Sequence, residues 1–125
     1  MNTHSKRSTV ILATREQLRS PPYYRRLWMA VRNMPISRRA WLDELANTFR
    51  DFRGCIVDEL GCPYEVPMLD EVFGDDPDMR WLSYYLRADQ SGRNPYSGSR
   101  SIERLQLLDL YFKIKHPKIA KHIMA

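Results

Sequence analysis

The strongest constraint on this chain is a pair of amphipathic helical patterns separated by a connection too short to hold anything else. Ser20 followed by Pro21 has the form of a helix start, since proline in the first turn loses no hydrogen bond and already carries a helical φ. From there Tyr24, Leu27, Trp28 and Val31 recur at spacings of three and four, which places them on one stripe. Arg25, Arg26 and Arg32 fall to the flanks and back. This helix should end near Asn33, before Met34 and Pro35. Ser37 can cap a second helix running through Arg38 to about Arg53, with Trp41, Leu42, Leu45, Phe49 and Phe52 as its stripe. Gly54 is placed to adopt the left-handed conformation after its last turn. Only Met34 to Ile36 separate the two, and so short a connection favours antiparallel neighbours.

Beyond residue 54 the pattern breaks. Gly54, Gly61, Pro63, Pro67 and Gly74 interrupt any long helix, so residues 55–76 read as an irregular acidic connector with a short helical turn around Ile56 to Leu60. Asp76 and Pro77 repeat the cap-plus-proline signature, and Met79, Leu82, Tyr85 and Leu86 make a third stripe through about Asp89. The stretch from Gln90 to Gly98 is turn-rich. A fourth helix, capped by Ser99 or Ser101, carries Ile102, Leu105, Leu108 and Phe112 and stops near His116 and Pro117. Lys118 to Ala125 is either a short basic helix or a frayed end. Period-2 alternation strong enough to demand a sheet is missing throughout. The expectation is an all-α fold: a small antiparallel helical bundle of three to four helices in a single domain over 20–125, comprising a hairpin at 20–54, the connector at 55–76 and C-terminal helices at 77–125.

Charge is unevenly spread. Residues 1–54 carry 11 Lys or Arg against 4 acids, residues 55–90 carry 2 against 9, and residues 91–125 carry 7 against 2. The excess of cations in the first segment exceeds what its own acids can pair, which points to an acidic partner: a protein, a nucleic acid or an anionic membrane. Residues 1–19 read as a flexible basic N-terminal segment. Within its first 15 residues Lys6, Arg7 and Arg15 alternate with Ser and Thr, and the first acid is Glu16, a composition that suits a mitochondrial targeting segment and equally an ordinary basic tail. No run approaches 18 uninterrupted apolar residues, so no transmembrane helix is expected.

Signatures of chemistry are few. Cys55 and Cys62, spaced C-x6-C, match neither a zinc nor a redox pattern and read as two reduced thiols. His4, His116 and His122 lack ligand spacing, so no metal site is expected. A nucleophile elbow, a phosphate-binding glycine loop and a calcium loop are all missing. The carboxylates Asp70, Glu71, Asp75, Asp76 and Asp78 lie beside an expected helix start, where they stabilise its positive end. The chain reads as no enzyme.

The run Tyr23-Tyr24-Arg25-Arg26-Leu27-Trp28-Met29-Ala30-Val31-Arg32, followed by a second helix ending Phe49-Arg50-Asp51-Phe52-Arg53, resembles the mitochondrial LYR-motif (complex 1 LYR-like) family of accessory subunits and assembly factors. Tyr24 and Arg25 match the Tyr and Arg of the triplet, Leu27 a following Leu, Arg32 a downstream Arg, and Phe49 with Arg50 the later Phe-basic pair. Tyr23 stands where the family has Leu. The likeness covers roughly residues 20–54.

The resemblance implies a non-enzymatic adaptor of a mitochondrial respiratory or iron–sulfur complex, in the matrix or on the matrix side of the inner membrane, that binds acyl carrier protein. By the same resemblance Tyr24, Arg25, Arg26, Arg32 and Arg50 would bind that partner. Leu27, Trp28, Val31, Leu45 and Phe49 would line the path of its acyl chain. No cofactor would be bound directly; the group accommodated would be the acylated 4'-phosphopantetheine arm of the carrier. The alternative is a nucleic-acid-binding or mitochondrial ribosome-associated helical protein, since Arg-rich helices with Tyr and Trp can contact phosphates and stack on bases.

Overall fold

The computed structural model describes residues 9–37, 40–73 and 101–125. These form six helices and two short strands: β1 (Val10–Ile11), α1 (Arg15–Arg19), α2 (Pro21–Asn33), α3 (Ala40–Asp51), β2 (Ile56–Val57), α4 (Leu69–Phe73), α5 (Ser101–Lys115) and α6 (Pro117–Met124). The protein is mainly helical. The expected helix at Asp76 to Asp89 and the turn-rich stretch after it lie outside the described residues.

Helix α2 begins and ends where the sequence places it. The Ser20 side chain makes no capping bond; its carbonyl instead accepts from Tyr23 N and Tyr24 N at 3.0 and 3.1 Å. At α3 the cap is a side-chain one, with Ala40 N donating to Ser37 Oγ at 3.2 Å. Gly54 adopts φ +81°, the left-handed turn expected after this helix.

The organising element is α5. Ile102, Leu105, Leu107, Leu108, Leu110, Tyr111 and Phe112 are all buried, so the helix is covered on every side. Helices α1, α2, α3, α4 and α6 and strand β1 pack against it. The sequence showed one row here, Ile102, Leu105, Leu108 and Phe112. Leu107, Leu110 and Tyr111 occupy the other faces and turn an amphipathic helix into a central one. The stripes of α2 (Tyr23, Leu27, Val31) and α3 (Trp41, Leu45, Phe49) belong to the same core cluster. Helix α2 has α1 and α6 as its other neighbours and makes no extensive contact with α3, so the two helices of the expected hairpin meet through α5 rather than against each other.

Three expectations require correction. The N-terminal segment is folded from residue 10 onward: β1 pairs in parallel with β2, Val10 opposite Ile56 and Ile11 opposite Val57. Val10 N and Leu12 N each donate across this ladder at 2.8 Å, to Cys55 O and Val57 O. Thr14 and Gln17 form a reciprocal capping box that starts α1, and Leu12, Ala13 and Leu18 are buried.

The expected helical turn at Ile56 to Leu60 is a strand followed by a tight turn. Two β-branched residues suit the ladder, while Asp58 and Gly61, the latter at φ +83°, close the turn. The third correction concerns the acidic connector, which is not irregular throughout: it contributes β2 and α4, and Ile56, Val72 and Phe73 enter the core. The terminal basic segment, left open between helix and frayed end, is helix α6, with Ala120 and Ile123 buried.

Candidate functional site

Because one face of α2 serves the core, its opposite face is fixed in water. Arg25, Met29 and Arg32, spaced by four and three residues, form an exposed row there. Beside this row lies a cleft of about 390 Å³ between α2 and α6. Met29, Ala30, Met34 and Ile119 give it an apolar lining, and Arg25, Arg26 and His122 border it with basic groups. Methionine at such a surface adapts its shape to what it meets.

Arg26 has a structural task at this cleft. Its Nε donates to Ile123 O at 2.9 Å and its Nη2 to Ala125 O at 2.8 Å, so it satisfies carbonyls at the C-terminal end of α6 that no helical turn can reach. A cation there also opposes the negative end of the helix dipole. Its role as a partner contact is therefore secondary to holding α6 against α2.

The sequence-derived partner residues do not form one cluster. Tyr24 is buried, Arg25 and Arg32 project from α2, and Arg50 lies on α3 beside a second cleft of about 340 Å³ with Phe49, Arg53, Tyr64 and Met68. Arg50 Nη2 donates to Asn47 Oδ1 at 2.6 Å. The two clefts share no lining residue. Of the residues assigned to the acyl chain, Leu27, Val31 and Leu45 are enclosed in the core, and Phe49 belongs to that core while bordering the second cleft. Trp28 is buried, and its indole N–H finds no acceptor among the described residues. An acyl chain entering among Leu27, Val31 and Leu45 would have to part the core.

Met29, Met34, Ile119 and His122 were not singled out as site residues. The available signal was slight: Met29 is the lone large apolar residue on the Arg-bearing side of α2, and Ile119 and His122 fall three apart on a segment opened by Pro117.

One buried and one part-buried polar grouping flank the core. Tyr23 Oη donates to Asp109 Oδ1 at 2.6 Å. Asp109 Oδ2 lies 2.8 Å from Lys113 Nζ, an ion pair whose geometry is not that of a directed hydrogen bond. Lys113 also donates to Ile11 O at 2.8 Å, tying β1 to α5. On another face, Tyr111 Oη donates to Glu44 Oε2 at 2.9 Å and lies 3.3 Å from His116 Nε2. Since the phenol gives its one proton to Glu44, the ring nitrogen of His116 is assigned as the donor in the second contact. Burial, and then the Asp109 carboxylate, push the Tyr23 phenol well above its ordinary value; burial and then Glu44 do the same to Tyr111. Phenols held neutral in this way act as hydrogen-bond donors to carboxylates and are poor acids or nucleophiles at neutral pH.

Among the described residues no group of three or more His, Cys, Asp or Glu side chains is placed to hold a metal ion, and no helix is long and apolar enough to cross a membrane. Tyr23, Tyr24, Trp28, Trp41 and Phe49 are buried, so these aromatics offer no face on which bases could stack. No protein-family model, no curated protein and no solved structure matches the chain.

Proposed function

We propose that this chain is a non-enzymatic adaptor that docks an acidic protein along the outward face of α2. The observation that carries the reading is the exposed row Arg25, Met29 and Arg32 beside the apolar cleft against α6. Such a surface offers charge for steering an acidic partner and an apolar floor for holding it. The likeness of residues 20–54 to the LYR-motif family supplies the partner: acyl carrier protein, whose binding would attach the chain to a mitochondrial respiratory or iron–sulfur complex on its matrix side.

Within this reading Arg25 and Arg32 make the principal electrostatic contact, Arg26 keeps α6 in place beside them, and Arg50 marks a separate surface. The helices form the small antiparallel bundle of that family, with α5 as its central member. The acylated arm of the carrier uses an apolar surface next to α2, either the α2–α6 cleft or a core opened around Leu27, Trp28, Val31, Leu45 and Phe49.

Charge reversal tests the contact. The double substitution Arg25→Glu and Arg32→Glu should abolish capture of co-expressed acyl carrier protein while leaving the helical circular dichroism unchanged, because exposed charges contribute little to folding. Undiminished capture would remove α2 from the interface. Among the described residues the burial of Tyr23, Tyr24, Trp28, Trp41 and Phe49 favours this reading over the nucleic-acid alternative.

A further inference from the structure

Among the described residues the most exposed large apolar side chain is Leu60, at 81%. It is held in the open by a well-made turn. Asp58 Oδ1 accepts from Leu60 N at 2.9 Å and from Cys62 N at 3.0 Å, and Gly61 N donates to Asp58 O at 3.0 Å. Gly61 supplies the left-handed step at φ +83°, where a side chain would be strained. Below the turn, Tyr64 N donates to Ile56 O at 2.9 Å and Val57 bridges Pro63, so the turn is rooted in β2 and through Ile56 in the core. The chain thus presents an aliphatic knob on a fixed base with two carboxylates, Asp58 and Glu59, beside it.

The cleft between α2 and α6 has the complementary character: an apolar floor of Met29, Ala30, Met34 and Ile119 with Arg25 and His122 at its border. Leu60 does not line this cleft, so knob and cleft do not satisfy each other within one molecule. We propose that the Leu60 turn of one copy docks in the α2–α6 cleft of a second copy, with Glu59 facing Arg25 and His122. A pre-formed turn loses little conformational freedom on docking, and opposite charges at the border select the register. The contact joins two different surfaces, so each copy retains a free knob and a free cleft and the assembly grows with concentration unless its rotation closes a ring. With one small turn seated in one cleft, it belongs to the weak end of protein contacts.

This inference goes beyond the adaptor reading and shares with it the α2–α6 cleft and Arg25. An acidic partner that covers Arg25 would displace the second copy, which makes self-association the resting state of the unpartnered protein.

Sedimentation equilibrium of the purified full chain over a wide concentration range is the test. The weight-average mass should rise with concentration, and either Leu60→Asp or Met29→Asp should weaken association at least about tenfold. Thermal unfolding of the Leu60→Asp protein at low concentration should be unchanged, because that side chain is in solvent. Glu59→Arg and Arg25→Glu should each weaken self-association, and mixing these two variants should restore it. A protein that stays monomeric at every concentration overturns the proposal, as does association that ignores Leu60→Asp or Met29→Asp. Were Leu60→Asp to abolish carrier capture by a monomeric protein, the turn would belong to the foreign partner and self-docking would be wrong. Carrier capture unaffected by Leu60→Asp would leave the adaptor reading standing whatever the sedimentation result.

Discussion

The hydroxyl of Tyr23 donates a 2.6 Å hydrogen bond to Asp109 across 86 residues of sequence, joining the exposed-faced helix α2 to the central helix α5. Asp109 is 2% exposed and pairs with Lys113, which in turn holds β1 through Ile11 O. One carboxylate therefore ties three elements together. Removing it should leave the Tyr23 hydroxyl without its acceptor and Lys113 with Ile11 O alone, so Asp109→Ala should destabilise the protein by about 2–4 kcal/mol. Tyr23→Phe removes one donor only and should cost about 1–3 kcal/mol. Denaturant titration of the two single variants and the double variant gives their coupling; additive losses would show that the two side chains do not act together.

Alkaline pH tests the same bonds. Burial raises Tyr23 and Tyr111 above the ordinary phenol range, and Tyr64 is raised in the same direction by burial and then by Glu103. A group whose folded pKa is raised contributes stability that is complete below its unfolded pKa and lost as pH climbs toward the folded one. The phenols should therefore add no pH dependence up to about pH 9, and unfolding midpoints should fall once pH passes about 10. Phenolate absorbance should show these tyrosines ionising only as the protein unfolds. Early titration of all seven tyrosines in the folded state would contradict the buried network.

Arg26 is expected to matter locally. Arg26→Ala deprives Ile123 O and Ala125 O of their donor, and it should cost about 1 kcal/mol overall. Hydrogen exchange should accelerate most in α6, with α5 little changed. Uniform acceleration would mean that Arg26 supports the whole fold and not one helix end.

Trp28 offers a different kind of check. Its buried indole N–H has no acceptor among the described residues, and an unmet donor costs about 1–3 kcal/mol. Trp28→Phe removes that donor along with some apolar area, so the net change in unfolding free energy should stay within about 1 kcal/mol. A loss as large as about 3 kcal/mol would show that the N–H is engaged.

Much of the helical content was legible because its signals are local. Pro21, the apolar spacing through Val31 and the glycine at 54 mark α2 and the end of α3, and each is a property of a few neighbouring residues. Pro117 opens α6 by the same logic. The β1–β2 pairing was not legible, since two-residue strands carry no period and their partners are 46 residues apart in register. The hub role of α5 was half visible: the run Leu107, Leu108, Leu110, Tyr111 and Phe112 crowds apolar side chains around the whole helix, but reading for one stripe hides that.

At the site, the exposed arginines of α2 could be read from the helical wheel. The commitment of Arg26 to α6 could not, because it depends on how a segment 97 residues away packs. The cleft floor needed Ile119 beside Met29 and Met34, a meeting that only tertiary structure brings about.

The most direct test of the adaptor reading is to co-express the chain with mitochondrial acyl carrier protein, purify through a tag on this chain alone, and measure the intact mass of whatever co-elutes. A stoichiometric carrier bearing an acylated phosphopantetheine arm is the predicted result. A folded protein that emerges without carrier would contradict the proposed partner.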